Sequence, residues 1–452
     1  MTTLGSRRGG SERALLVVLV LVVVVVSLVS SLGAPLVPLI AATHGVSLSA
    51  AQWTLTVALL AGAVATPVLG RLGDGRLRRP VILGTLVAVV VGCLLGAMPL
   101  GYVGLLVGRA LQGVGFGLMP LAMTVARGHL SPDRVRGAVA LLSVTTIAGV
   151  GVGYPISGAL SLWGGVPASY WFGFGLGLAV LAAAYWVLPT AEVPRRGRLD
   201  VVGAVLVGVA LTSVLLAVGE GLWVLGAVGA VVFGVFVVFE LRAARPLVEL
   251  RLLRRRRVLV ADLTGLVAGV GVYLLMSAAT RVLQEPGGLG ASVLVASCAM
   301  VPFSVVSLLA SRLSGLLRVD QAVLLPVGCL LFAAAMVLFW SQRDAVWLIF
   351  VVLGVAGAGA GCTFAAMPGL IVDSVPTTEV GSAIGVNQVV RTIGYSGGSA
   401  LSAALLAQGG YDTVAAVGVA VMLTAAAFSA WAVLPRSAGP RPPRDELLVL
   451  DQ

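Results

Sequence analysis

Runs of about 20 apolar residues recur from Ala14 almost to Pro435, broken only by short segments of Arg, Pro and Gly. A run of that length spans the hydrocarbon core of a bilayer as a helix. The chain therefore reads as an all-α integral membrane protein. Composition agrees, with 59% hydrophobic and 10% charged residues, against about 25% charged in soluble domains. No stretch is long and polar enough for a separate soluble domain. The first run follows Arg7, Arg8 and Arg13 and continues into PLVPLIAA. It exceeds the roughly 7–15 residues of a signal-peptide core, so it reads as a retained first helix.

Breaking the chain at charges, prolines and glycine clusters predicts fourteen spans. The first is 14–40, the fifth and sixth are 137–162 and 168–188, the thirteenth is 381–407 and the last 413–434. All 29 basic residues are arginine, and 25 of them fall in the even-numbered connections and the tails. Arg281 and Arg343 fall on the other side, and Arg109 and Arg391 inside spans. Basic residues stay on the cytoplasmic side, so both termini are expected there. The net charge of +11 is then a mark of topology. Nucleic-acid binding would need the arginines on one accessible soluble face.

An internal repeat divides the chain. A Met-Pro pair, a glycine after a loop proline and a second glycine sixteen residues on occur at Met119, Gly137 and Gly153, and again at Met367, Gly381 and Gly397. Parallel repeats of this kind build transporters with a site at the midplane. The expected organisation is a cytoplasmic tail at 1–13, a six-helix half at 14–190, and a two-helix insert with cytoplasmic linkers at 191–256. A second six-helix half at 257–435 and a tail at 436–452 complete it.

Few residues carry chemistry. GRLGDGRLRRP at 70–80 sets Asp74 among four arginines at the end of a span. Topology accounts for the arginines, but an acid at a helix end can also pair with Arg78 or Arg79 and lie against a neighbouring helix N-terminus. Arg109 lies about seven residues into a span in LLVGRALQGVGFGLMP, with Gln112 three residues on and on the same face. A charge at that depth costs at least about 2.5–3.5 kcal/mol, and no acid in the first half is an obvious mate. Coupling or substrate binding is the expected role, with a structural ion pair the plainer one. In GVGVGYPISGAL, Gly149, Gly153 and Gly158 permit close helix contact and Pro155 bends the helix. Asn387 and Arg391 are four apart on one face of the thirteenth span.

An antiporter driven by protons needs a carboxyl that responds to access. The candidates are Asp74 and Asp262, the latter directly after Arg254 to Arg257, where a salt bridge to that cluster is the plainer reading. Glu220, Glu285, Asp344 and Asp412 fall in outward loops. With two arginines inside spans and no midplane acid, neutral or anionic amphiphiles suit the cavity better than cations. Trp53, Phe116, Tyr154, Tyr273 and Phe364 are candidate lining residues, with packing or lipid contact the plainer reading of each.

The loop at 70–80, the LLVGRALQGVG stretch and the glycine-rich fifth span together resemble the major facilitator superfamily, and fourteen spans point to its fourteen-helix drug:proton antiporter branch. Gly70, Leu72, Asp74, Arg78 and Arg79 match the superfamily's loop motif, although Gly75 and Leu77 depart from it. Leu105, Arg109, Gln112, Gly113 and Gly115 are similar to its second motif. The fifth span resembles the antiporter motif, with Tyr154 inserted before Pro155 and Ala159 in place of the last glycine. The resemblance implies that Gly70, Asp74, Arg78 and Arg79 gate the conformational cycle. It also implies that Arg109 takes part in proton coupling and that the bent span favours export.

The expectation is a secondary active transporter that exports drugs or other hydrophobic and amphiphilic molecules by alternating access. It would use the proton gradient and no cofactor, as a monomer in the bacterial plasma membrane. The alternative is a facilitator for a specific metabolite, not coupled to protons. The four cysteines, dispersed through apolar runs without a CxxC or a histidine partner, read as packing residues, so no metal is expected. An intramembrane enzyme is excluded by the lack of an H-E-x-x-H pair or of two acids within the membrane.

Overall fold

In this computed structural model the described residues are 2–73, 78–189, 200–243, 246, 249–285, 287–317, 319–375 and 380–433. Asp74 and the tail 436–452 lie outside them. Within them the chain is helical almost throughout. The first half comprises α1 (Thr2–Ser31), α2 (Val37–His44), α3 (Leu48–Leu72), α4 (Arg78–Ala97), α5 (Gly101–Val114), α6 (Leu118–His129) and α7 (Pro132–Val187). Next come α8 (Val201–Glu220) and α9 (Trp223–Arg242). The second half comprises α10 (Arg256–Gln284), α11 (Val293–Cys298), α12 (Met300–Leu316), α13 (Gln321–Ser341), α14 (Val346–Val372), α15 (Val380–Gln408) and α16 (Gly410–Val433).

Among the described residues, twelve helical segments are long and apolar enough to cross a membrane. One of them lies in α7, whose 56 residues would measure about 84 Å if straight. The chain doubles back inside it. Gly164 and Gly165 leave helical geometry, and Gly165 has φ +63°, which glycine adopts without strain. Ser169 Oγ donates to the Ser157 carbonyl at 3.2 Å, although twelve residues of straight helix would separate them by about 18 Å. Trp163 stands at this turn, 92% exposed.

The two ends of the bundle differ. Every left-handed glycine among the described residues, at 45, 101, 165, 221, 290 and 410, lies in a connection at one end, here the turn end. Arg71, Arg78, Arg79, Arg127, Arg242 and Arg255 flank the connections at the other, the arginine end.

Each half has its own apolar core. The first gathers Val22, Leu28, Leu86, Val89 and Leu118 around α1, and the second gathers Leu274, Phe332, Met336, Val352 and Ala356 around α10. A shared construction underlies both. α7 lies on α1 where Gly149 and Gly153 meet Ser27 and Leu28, and α15 lies on α10 where Gly394 and Gly398 meet the Leu266 and Val270 backbones. α8 packs against α3 and α15 beside the junction of the halves, while α9 turns Val224, Val231 and Val235 outward.

α7 also touches the second half. Gly151 faces Ser304 of α12, and Gly158 faces Leu294 and Ser297 of α11, with the Leu294 Cα 3.2 Å from where a Cβ would stand. Gly158→Leu should overpack this seam at a cost of about 1–3 kcal/mol, lowering both the melting temperature in detergent and transport. Gly175→Leu, on the same helix with no neighbour within 4 Å, is the control expected to change neither.

Candidate substrate and coupling site

Arg109 is 1% exposed, on α5 among helices of the first half. Among the described residues it has no acid. Nε donates to the Thr54 carbonyl at 3.0 Å, Nη1 to the Val29 carbonyl at 3.2 Å and to Gln112 Oε1 at 2.7 Å, and Nη2 to the Ser30 carbonyl at 3.4 Å. Val29 and Ser30 close α1, where final carbonyls lack helical donors and the helix dipole is negative. The guanidinium thus caps a helix terminus. It fits because the chain leaves α1 through Gly33, where a Cβ would stand 3.0 Å from the guanidinium carbon.

The glycines around Arg109 are equally local in their effect. α4 and α5 cross where Gly92 and Gly108 leave each other's carbonyl uncovered, and Gln112 Nε2 donates to the Gly92 carbonyl at 3.0 Å. Gly113 lies directly on the Ala58 backbone of α3. Close packing therefore sets the height and direction of the arginine.

The halves are bound together by a polar cluster near the turn end. Gln52 Nε2 donates to Ser277 Oγ at 2.8 Å and to Ser399 Oγ at 3.1 Å, and Thr56 Oγ1 donates to Ser399 Oγ at 2.9 Å. Ser396 Oγ donates to the Thr56 carbonyl at 3.2 Å. All five side chains are buried. Opening this end must break these bonds, each worth about 0.5–1.5 kcal/mol net. Gln52→Leu should shift the population toward an open turn end by fivefold or more, on the order of two such bonds. Maleimide labelling of a cysteine placed at Leu55, between Gln52 and Thr56 on α3, measures the shift.

Beside Ser277 of the cluster, a small cavity between the halves is lined by Ala34, Leu55 and Tyr154 on one side and Tyr273, Met276 and Met300 on the other. Two further sequence candidates are elsewhere. Phe116 packs on Gly62 within the first half, and Trp53 Nε1 donates to Glu220 Oε1 at 2.6 Å. Glu220 is thus a partner and not simply a solvated loop acid. Glu285 accepts from Arg281 and from Tyr411, and Asp412 pairs with Arg343 at 2.8 Å.

Toward the arginine end, Asp262 is 1% exposed on α10 and meets Asn387 of α15. Asn387 Nδ2 donates to Asp262 Oδ1 at 2.8 Å and lies 3.3 Å from the Ala261 carbonyl. Oδ2 has no hydrogen-bond partner, nor does the hydroxyl of buried Thr264. This corrects the salt-bridge reading of Asp262. Among the described residues it pairs with no arginine, because Arg256 lies over the Trp431 ring at 3.9 Å and Arg255 donates to the Ser374 carbonyl.

Arg391 is one turn above Asn387 and only half-buried. Nη2 donates to Gln388 Oε1, and the guanidinium carbon is 4.8 Å from the Phe364 ring centroid and 6.0 Å from that of Tyr395. Its Nε has no partner. Each of the two ring contacts is worth about 0.5–2 kcal/mol and adds to the charge-assisted bond to Gln388, so it is Nε that is left uncompensated. Arg109 is satisfied where it stands, and Arg391 is not.

Of the loop residues, Arg78 Nε donates to the Gly73 carbonyl at 3.0 Å and Arg79 Nη2 to the Tyr185 carbonyl at 2.6 Å, while Gly70 has no neighbour within 4 Å of a would-be Cβ. Pro155 lies within α7. Sequence reasoning missed Glu240, 1% exposed on α9 and facing Gly203 on α8. An acid in the last turn of an apolar span, opposite a glycine on the preceding one, was its signal. It also missed Gln52, Ser277 and Ser399, which resemble ordinary small and polar packing residues.

A family model described as Major Facilitator Superfamily matches residues 19–316 and 261–448. The chain belongs to the Major Facilitator Superfamily. Relatives in that family are described as membrane transporters. The chain is 29% identical over 396 residues to an uncharacterised MFS-type transporter of Mycobacterium tuberculosis (strain ATCC 25618 / H37Rv), covering 82% of this chain but only 56% of that protein. A multidrug resistance protein B homolog of the same strain is 25% identical, over 81% of this chain and 71% of its own. A uridine/deoxyuridine transporter of Lactococcus lactis is 27% identical over 85% of each chain. The crystal structure of the human organic anion transporter MFSD10 (TETRAN) superposes with a TM-score of 0.64 over 92% of this chain and 99% of that one. At 16% identity that likeness concerns the fold.

Proposed function

We propose that this transporter exports drugs or other hydrophobic amphiphiles in exchange for protons, by alternating access in a bacterial plasma membrane. The observation that carries the reading is Asp262, a carboxyl buried between α10 and α15 with, among the described residues, one oxygen unpartnered and no arginine paired with it. Such a group binds and releases a proton as access to it changes. The relationship to a multidrug resistance homolog supports the substrate class. The polar cluster at Gln52 supports alternating access, since it joins the halves near the turn end.

Fourteen crossings are part of the proposal. Support comes from the reversal within α7, which divides it near the expected fifth and sixth spans, and from α15, whose polar ridge keeps it out of the apolar twelve. The arginine end would then face the cytoplasm with both termini, the transporter acting as a monomer without a cofactor. The loop carrying Asp74 would gate the cycle.

The uridine/deoxyuridine transporter favours a second reading, a facilitator for one metabolite. A dye-efflux and resistance panel in a pump-deficient host, with and without a protonophore, separates the two. The proposal expects efflux of several unrelated compounds that stops when the gradient collapses. Efflux of a single compound, indifferent to protonophore, supports the facilitator and removes the coupling.

A further inference from the structure

Asn387, Arg391, Tyr395 and Ser399 follow one another at four-residue steps along α15, forming a ridge that starts against α10 and reaches α3 of the other half at Ser399. Three have defined partners. Asn387 binds Asp262, Tyr395 stacks with Tyr273 at 5.1 Å and 38°, and Ser399 accepts from Gln52. Arg391 alone on this ridge carries a charge, and among the described residues it has no acid, while its Nε lacks any partner.

The surroundings of that charge are aromatic. Phe364 lies under the guanidinium at 4.8 Å and meets Tyr395 edge-on at 6.2 Å and 83°. Tyr395 in turn leads through Tyr273 to the cavity shared with Tyr154, Met276 and Met300. An unsatisfied planar cation at the end of an aromatic strip offers two complementary features. The guanidinium fork fits a carboxylate in bidentate fashion, and the rings stack on a flat apolar body.

We propose that Arg391, Phe364, Tyr395 and Tyr273 form a subsite for the carboxylate of a planar aromatic anion. The inference rests on the reading of the chain as a transporter of amphiphiles, and it names the charge and shape that this cation and its strip of rings would select. Arg109 takes no part in it, because carbonyls and Gln112 occupy its donors.

The test is equilibrium binding to the full chain in nanodiscs, without a gradient, using carboxyfluorescein and rhodamine 123, which share a xanthene frame but differ in charge. Wild type should bind carboxyfluorescein. Arg391→Gln should weaken that binding by roughly tenfold or more, the loss of one charge-assisted contact, and leave rhodamine 123 within about twofold as the check on folding. Arg391→Lys should recover only part of the loss. If Arg391→Gln does not fold, wild type alone decides: benzoate should displace carboxyfluorescein, and benzamide at equal concentration should not. No binding of carboxyfluorescein, an equal effect of Arg391→Gln on both dyes, or equal displacement by benzamide would overturn the subsite. Binding as expected, with transport that ignores the proton gradient, would leave the subsite standing and remove only the coupling.

Discussion

Arg109→Lys is expected to insert and fold, yet to transport at least tenfold more slowly than wild type. Lysine keeps the charge that the end of α1 favours, so membrane insertion and most of the stability should survive. What it loses is geometry. The guanidinium reaches Val29 and Ser30 on α1, Thr54 on α3 and Gln112 on α5 together, whereas an ammonium is a single point with three donors. Three helices of the first half then lose their common fastening at the depth where the halves must move. Arg109→Ala goes further. It strips the donors from those acceptors at about 1–3 kcal/mol for each left unsatisfied, and should abolish transport while lowering the melting temperature in detergent. Paired measurements of efflux and melting separate the two effects. Arg109→Lys at wild-type rate would reduce the residue to a charge and remove its positional role.

Much of this arrangement could be read from the sequence, and the limits are physical. Apolar runs gave the helices, because lipid leaves the backbone little else to form. Arg109 and Gln112 share a face at three-residue spacing, and their bond follows from helix geometry. The carbonyl partners do not, since they depend on where α1 ends in space, 80 residues earlier in the chain. Asp262 shows the opposite failure. Nearness in sequence to four arginines suggested its partner, but a helix distributes neighbours around its axis, and the side chain that reached it lies 125 residues away on α15. The Gln52 cluster was illegible for a third reason. Serine and threonine in an apolar helix commonly bond their own backbone, and only the meeting of three helices made Ser277 and Ser399 a joint between halves.

Asp262→Asn should uncouple the transporter without unfolding it. The amide preserves the oxygen that accepts from Asn387 at 2.8 Å, so the α10–α15 contact persists, while the group can no longer bind and release a proton. In inside-out vesicles the variant should lose accumulation driven by an imposed proton gradient, and should cease to release protons when substrate is added. It should keep substrate exchange at equilibrium, and its rate should lose one titration step from the pH profile. Asp262→Ala is the harsher comparison, because it leaves the Asn387 amide without its acceptor in a buried site, at about 1–3 kcal/mol. The proposed anionic substrate makes the measurement sharper. Exporting one anion for one entering proton moves two charges in the same electrical direction, each worth about 2.3 kcal/mol per 100 mV. Wild-type transport of an aromatic carboxylate should therefore respond steeply to an imposed membrane potential even with no pH difference, and Asp262→Asn should respond with the charge of the substrate alone. Full gradient-driven accumulation by Asp262→Asn would move the proton to another acid and leave Asp262 a structural partner of Asn387.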